Sequence, residues 1–412
     1  MKRLAFLLLL LFTSAILLVL IGCSGSDLNH VTLWHQMRTE DRVILEAFAK
    51  KYERQHPGIK VEVLYKETEE LRSSFQTAVF GGGGPDIVNG PSDQIGPFVA
   101  MGLIQPLDNW WTDNELSQID SLGLVTMEGK LWAIGDRVGN HVCLVVNRKY
   151  VPTNPTSWEE IIELAKKNTV DNDGDGKIDR YGMVWNFTEP YFYIPFLTGF
   201  GGWVFDDKMQ PSLNTDANIK AAEYVIALRD QYKVIPRDCD YNTADALFKE
   251  GRAAMILNGP WSWSGYLQAG IDIAIVKYPK FAPGLRDPAP MVAPLAYSVN
   301  ANVSKAKRTH VKAFLDYLLS DEVQKEFAVK QSVLPTRITV RSDPEVLQNR
   351  LLQESLAQAA VGRPMPVVPE LRAVWDAMRP SYQAFLGGSI SASEAAKKMQ
   401  SEAERKIQEM SE

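Results

Sequence analysis

Past residue 29 the chain alternates short apolar runs with longer amphipathic stretches. Val31-Thr32-Leu33-Trp34 has the alternation of a strand, 41–52 repeats apolar residues at helical spacing before His56-Pro57-Gly58, and 59–64 alternates again. The spacing predicts a second helix over 69–80, stopped by Gly81-Gly82-Gly83-Gly84 and followed by the strand Pro85-Asp86-Ile87-Val88. A glycine run can cradle phosphate, but these glycines close a helix instead of opening one and no Gly-Lys-Ser/Thr follows. They read as a helix stop and turn. The β-α-β-α-β order predicts an open α/β sheet with helices on its faces.

Further on, 129–134 and 141–147 predict strands, and Ser157-Trp158-Glu159-Glu160 opens a helix with a capping-box pattern. Helices are predicted over 217–233, 240–250, 310–330, 345–361, 370–386 and 391–410, so the C-terminal third is helix-rich. No internal repeat stands out.

The first residues change the picture. Lys2 and Arg3 precede an almost unbroken apolar run over 4–21 that ends in Gly22-Cys23. A transmembrane anchor would share the run, but the small residue before cysteine is what lipoprotein signal peptidase requires, so cleavage before Cys23 and acylation of its sulfur are expected. Each buried methylene of a lipid tail contributes about 0.8 kcal/mol, with 23–28 as the anchored tether. The mature chain is thus expected outside the cytoplasmic membrane, on its periplasmic face or at the cell surface. A composition of 23% charged and 45% hydrophobic residues is that of a folded globular protein long enough for two domains. The formal net charge of −6 argues against a nucleic-acid partner. Apart from Cys23 there are only Cys143, in an apolar run, and Cys239, between Asp238 and Asp240. The first reads as a buried hydrophobe and the second as a surface-turn residue; a bridge between them stays open.

Three segments go beyond generic α/β: Gly84-Pro85-Asp86-Ile87, Glu189-Pro190-Tyr191-Phe192 and Asn258-Gly259-Pro260-Trp261-Ser262-Trp263. With Gly129-Lys130-Leu131, Asn154-Pro155-Thr156-Ser157-Trp158-Glu159-Glu160, Gly251-Arg252-Ala253-Ala254-Met255 and Met365-Pro366 leading to Trp375, they run in an order that resembles the maltose/maltodextrin-binding proteins of ABC importers. The resemblance implies a two-lobed periplasmic-binding-protein fold of type II, with the ligand in the inter-lobe cleft and hinge closure on binding. Lobe one would comprise 29–138 and 292–343, and lobe two 143–289 and 344–411. It also implies an oligosaccharide ligand, membrane permease subunits as partners, a monomer, and neither enzyme activity nor a catalytic cofactor.

A pyranose has apolar C–H faces and a hydroxyl edge, so its site needs flat aromatic surfaces and fixed acceptors. Tyr191, Trp261 and Trp375 resemble the family's stacking aromatics, and Asp93 and Glu189 its hydroxyl-binding carboxylates. Trp34, Trp132, Trp185, Trp203 and Trp263 read as packing, and Asp93 also suits a helix cap. The chain departs from the pattern where Gly90 replaces a tryptophan, Gln94 an arginine, Asn140 a glutamate and Asp376 a tyrosine. Arg38 and Thr39 stand where an acidic-basic pair is usual, with Glu40 able to restore a carboxylate; His141 adds a neutral donor or acceptor beside Asn140. Glycine at 90 is expected to make room for a differently linked, longer or bulkier sugar. Carboxylates beside aromatics also describe a glycosidase, and a cationic solute such as a polyamine, or a peptide, would use the same residue types.

One insertion carries separate chemistry. Asp171-Asn172-Asp173-Gly174-Asp175-Gly176-Lys177-Ile178-Asp179 resembles the first half of a calcium loop, with Asp171, Asp173, Asp175 and Asp179 as ligands. The closing glutamate is missing, since Gly182 falls there. A structural calcium is expected, against the plainer reading of a solvated acidic turn.

Overall fold

The computed structural model describes residues 28–411. The apolar leader and Cys23 lie outside the described residues. Thirteen strands appear in chain order: β1 (His30–His35), β2 (Lys60–Tyr65), β3 (Ile87–Pro91), β4 (Ile104–Gln105), β5 (Leu124–Met127), β6 (Lys130–Asn140), β7 (Cys143–Asn147), β8 (Tyr181–Val184), β9 (Ala253–Asn258), β10 (Ile273–Val276), β11 (Met291–Asn300), β12 (Leu334–Pro335) and β13 (Arg363–Pro364). They form two sheets. One runs β12-β6-β11-β3-β1-β2, with β4, β5 and β13 attached to it, and the other runs β10-β7-β9-β8.

The first sheet grows from the pattern read in the sequence. β1 lies parallel between β2 and β3, and the crossovers are the helices Thr39–Gln55 and Thr68–Phe80. Successive strand residues point to opposite faces. Ile87 accordingly packs with Val31, Leu33 and Phe48, while its neighbour Val88 packs with Leu71, Phe75 and Val79. Apolar residues on both faces of β3 demand helices on both sides, which is the α/β layer arrangement. The glycine run ends the second helix as expected, with Gly82 and Gly84 at φ +79° and +96°.

Two long antiparallel strands, β6 and β11, close this sheet and lead to the other lobe. The chain leaves β6 at Asn140 and enters β7 at Cys143, so two residues span the crossing. It returns between β10 and β11, and crosses again between β12 and the helix Arg350–Ala359, whose Glu354 and Gln358 accept from the backbone N–H of Ile275 and Tyr278 at 2.8 Å each. The result is a two-lobed α/β molecule. Lobe two has its own core, built on β7–β10 and the helices Glu370–Leu386 and Ala392–Ser411.

Several local expectations need correction. The helix expected over 310–330 is two helices, Arg308–Leu318 and Asp321–Gln331, because Ser320 turns the chain and caps the second through Val323 N–H. The stretch 345–361 likewise divides into Pro344–Leu347 and Arg350–Ala359, the latter capped by Asn349. At the helix Trp158–Asn168 the Ser157 hydroxyl caps Glu160 N–H, but the Glu160 carboxylate reaches back to Thr156 N–H at 2.8 Å instead of to Ser157. Cys239 is buried, not on the surface, and both it and Cys143 are free thiols, so no bridge links them. Among the described residues no helix is long and apolar enough to cross a membrane.

Candidate functional site

Where the lobes face each other lies a cavity of about 350 Å³. From the expected residues it is lined by Arg38, Asp93, Asn140, Glu189, Tyr191, Trp261 and Trp375. Glu40, His141 and Asp376 are not among its lining residues.

The aromatic wall belongs to lobe two. β9 ends at Asn258, and Gly259 leads into a short helical turn, Pro260–Ser262, which carries Trp261. Gly259 is needed there: a Cβ on it would lie 2.1 Å from Cζ3 of the Trp261 ring. That ring is tilted 46° to Tyr191 and perpendicular to Phe192, with centroids 6.4 Å away in both cases. Tyr191 stands in the first turn of the helix Pro190–Gly199, and burial raises its phenol well above the ordinary tyrosine range. Trp375, in the helix Glu370–Leu386, is largely buried and its indole N–H donates toward Asp93 of lobe one.

Charge is arranged as a ladder along one edge. Arg379 grips both oxygens of Glu189 at 2.6 and 3.1 Å, and its remaining nitrogen is 3.3 Å from Asp376. Asp376 also pairs with Arg372 at 2.9 Å, and Arg372 crosses the cleft to Glu69 of lobe one at 3.3 Å. Asp376 is thus a bridge between two arginines, which takes its carboxylate away from the cavity. Burial opposes ionisation of Glu69, yet Arg372 and Arg72 hold its carboxyl below the ordinary value. A second cross-lobe contact sets the Arg38 guanidinium 4.5 Å over the Tyr241 ring.

Lobe one presents a polar wall. Asp93 sits in the turn Ser92–Gln94, where burial pushes its carboxyl up to about 6 despite Arg372 and the Trp375 indole. Beneath the cleft Arg137 is buried between Asp136 and Asp41, both at 3.0 Å, and the Tyr297 hydroxyl donates to Asp136 at 2.8 Å. Three expectations change here. The room anticipated at Gly90 is taken by Gln94, whose Oε1 would lie 2.6 Å from a Cβ at that position. His141 is buried in the crossing segment, 2.9 Å from the Ser355 hydroxyl, and burial lowers its pKa to about 4, so it is a neutral hinge residue. Glu40 is outside the cavity lining, where its Oε1 and the Lys249 ammonium are each 3.2 Å from the point at which a Gly265 side chain would begin.

Sequence reasoning missed Asn89, Glu69, Tyr241, Arg137, Arg372 and Arg379, all of which line the cavity. The arginines carried a signal: 372, 375, 376 and 379 fall at i, i+3, i+4 and i+7 on one helical face. Away from the cleft, carboxylate oxygens of Asp171, Asp173 and Asp179 lie within 4.8 Å of one another. Asp175 is not in this group; it pairs with Lys177 at 3.2 Å. Gly182 has no side chain because a Cβ there would lie 2.1 Å from the Ala165 carbonyl oxygen, which explains the missing glutamate.

Comparison with known proteins agrees with this architecture. Residues 47–354 match the family described as bacterial extracellular solute-binding protein, and the chain belongs to that family. Two similar solved structures bind maltotriose. The maltose/maltodextrin-binding domain MalE from Bdellovibrio bacteriovorus, bound to maltotriose, is 46% identical with a TM-score of 0.89, over 92% of this chain and 100% of that one. The maltotriose-binding protein of Thermus thermophilus, also bound to maltotriose, is 27% identical with a TM-score of 0.82 over the same shares. Among curated relatives, the maltotriose-binding protein of Pyrococcus abyssi is 27% identical over 364 residues, 86% of this chain and 77% of that protein. The galactooligosaccharide-binding protein of Bacillus subtilis is 24% identical over 388 residues, 90% and 88% of the two chains.

Proposed function

We propose that the cleft captures a neutral oligosaccharide of the maltodextrin type and that the closed, loaded protein delivers it to an ABC importer. The observation that carries this reading is the division of the cleft into an aromatic wall, Tyr191 and Trp261 with Trp375, and a polar wall around Asp93 and Asn140. A sugar ring needs both, apolar faces against its C–H surfaces and acceptors around its edge. The relatives bound to maltotriose support the same ligand class. Binding without catalysis is favoured because the family is one of binding proteins and because Glu189 has both oxygens engaged by Arg379, so this carboxylate is not free to act as acid or base. Acylation at Cys23 would hold the monomeric chain on the outer face of the cytoplasmic membrane, within reach of its permease.

The test is a thermal-shift and calorimetric series of maltose, maltotriose, longer glucans, galactooligosaccharides and polyamines. A ligand at about 100 times its Kd stabilises the native state by about 2.7 kcal/mol, and that shift is expected with maltotriose and not with polyamines. No shift with any sugar would overturn the reading. The convergence of Asp171, Asp173 and Asp179 supports a structural calcium at the insertion, checked by calorimetric titration of calcium into chelator-treated protein.

A further inference from the structure

The lobe-one wall is incomplete as a hydrogen-bonding surface, and the shortfall centres on one side chain. Asn89 has no exposed surface, yet it lines the cleft, and neither its Nδ2 nor its Oδ1 has a partner within the protein. A buried polar group left unpaired is costly, and an amide that leaves both a donor and an acceptor open is a strong departure from the rule that buried groups pair. Around it the same condition recurs: Asp93 Oδ1 on the same wall and the Tyr191 hydroxyl on the facing one are buried atoms without protein partners.

The strand explains the placement. In β3, Ile87 and Val88 are used by the two cores, and Asn89 follows them in register with His35 of β1 and Tyr297 of β11. Just past it Gly90 and Pro91 complete the strand, and the turn Ser92–Gln94 that follows carries Asp93. Asn89 therefore sits at the carboxyl end of a parallel strand, where open α/β sheets present their ligand-contacting residues. Its neighbour in register, His35, is kept neutral by burial and by Arg42 and Arg137, which bring its pKa down to about 4. His35 therefore offers the amide no charge, and no protein group meets either half of it.

We propose that Asn89 is a specificity-determining residue of the cleft, its Nδ2 donating to and its Oδ1 accepting from neighbouring hydroxyls of one pyranose ring. The inference rests on the oligosaccharide reading and deepens it. A hydroxyl both donates and accepts, so adjacent hydroxyls complete both halves of an amide; a cationic ligand satisfies only the oxygen and an anion only the nitrogen. Asn89 thereby selects an uncharged polyol and, by its fixed position, a hydroxyl configuration.

The experiment is titration calorimetry of wild type, Asn89→Leu and Asn89→Ala against maltotriose and its monodeoxy analogues, with thermal melts of each apo protein. The leucine variant keeps the volume and removes both polar atoms; the alanine variant covers the case in which leucine does not fit. Both are expected to bind maltotriose roughly ten- to hundredfold more weakly while the apo Tm holds or rises. One or two deoxy analogues should lose affinity for wild type and lose nothing further with the variants. Wild-type affinity in both variants, or an equal loss for every analogue, would overturn the assignment, the latter by pointing to a general structural role. A wild-type protein that binds no sugar in the series overturns the oligosaccharide reading along with it, and is thus distinguishable from a wild type that binds and variants that match it.

Discussion

The two walls of the cleft are finished to different degrees. On lobe two most groups are satisfied, the Tyr191 hydroxyl excepted: Glu189 is clamped by Arg379, and the aromatic rings support one another edge to face. On lobe one Asn89 and Asp93 keep polar atoms open. A satisfied apolar wall offers area and little discrimination, whereas open buried dipoles discriminate strongly because any mismatched ligand leaves them unpaired. Lobe two is therefore expected to dominate affinity and lobe one selectivity, with closure bringing both to bear on one ligand.

The largest effect should come from the aromatic wall. Trp261→Ala removes a stacking face and is expected to weaken sugar binding by about 2 kcal/mol or more, some thirtyfold, with the melting temperature little changed. Gly259→Ala should do nearly the same without touching a cleft residue, since its new Cβ would collide with the Trp261 ring. Calorimetry that finds either variant binding like wild type would break the contrast between the walls.

Next comes Asp93. Hydroxyl donors favour the carboxylate, so protons compete with sugar, and affinity should fall as pH drops below about 6, by at most about tenfold per pH unit. For the apo protein the sign is opposite. The folded value of about 6 stands above the ordinary value of 3.8, so between those values the folded state binds more protons and stability falls as pH rises. Asp93→Asn is expected to lose sugar affinity and yet to melt higher than wild type at pH 7. Lower melting of that variant would show that Asp93 is a structural cap.

A smaller effect is expected at the cross-lobe pair of Arg372 and Glu69. The arginine is partly exposed, so the contact contributes a few tenths to about 1 kcal/mol, screened by salt. Arg372→Gln should weaken maltose and maltotriose by the same two- to fivefold factor. A loss that grows with sugar length would make Arg372 a ligand contact in place of a latch. Smallest is the acidic turn. Chelation is expected to lower the melting temperature by a few degrees and to leave sugar affinity unchanged, because the carboxylates at 171, 173 and 179 are not among the cleft-lining residues.

Much of this was readable from the chain alone, for reasons of range. Strand alternation, the glycine stop and the cap at Ser157 depend on residues within a few positions of one another, so local chemistry specified them. The same holds for Trp261 on its glycine-proline turn. The breaks at Ser320 and Asn349 were missed because helical spacing continues across both sites while each cap acts through a single hydrogen bond.

What the tertiary structure alone decided is how side chains are directed and paired, whether their partners are near or far in sequence. Whether Asp376 faces ligand or arginine depended on Arg372 and Arg379 flanking it, and whether Gly90 opens space depended on where Gln94 folds. His141 could be placed in the hinge only once Ser355, more than two hundred positions away, was beside it. The unpaired amide of Asn89 is of the same kind. A sequence records which donors and acceptors exist, but being unpaired is a property of everything the fold brings near them.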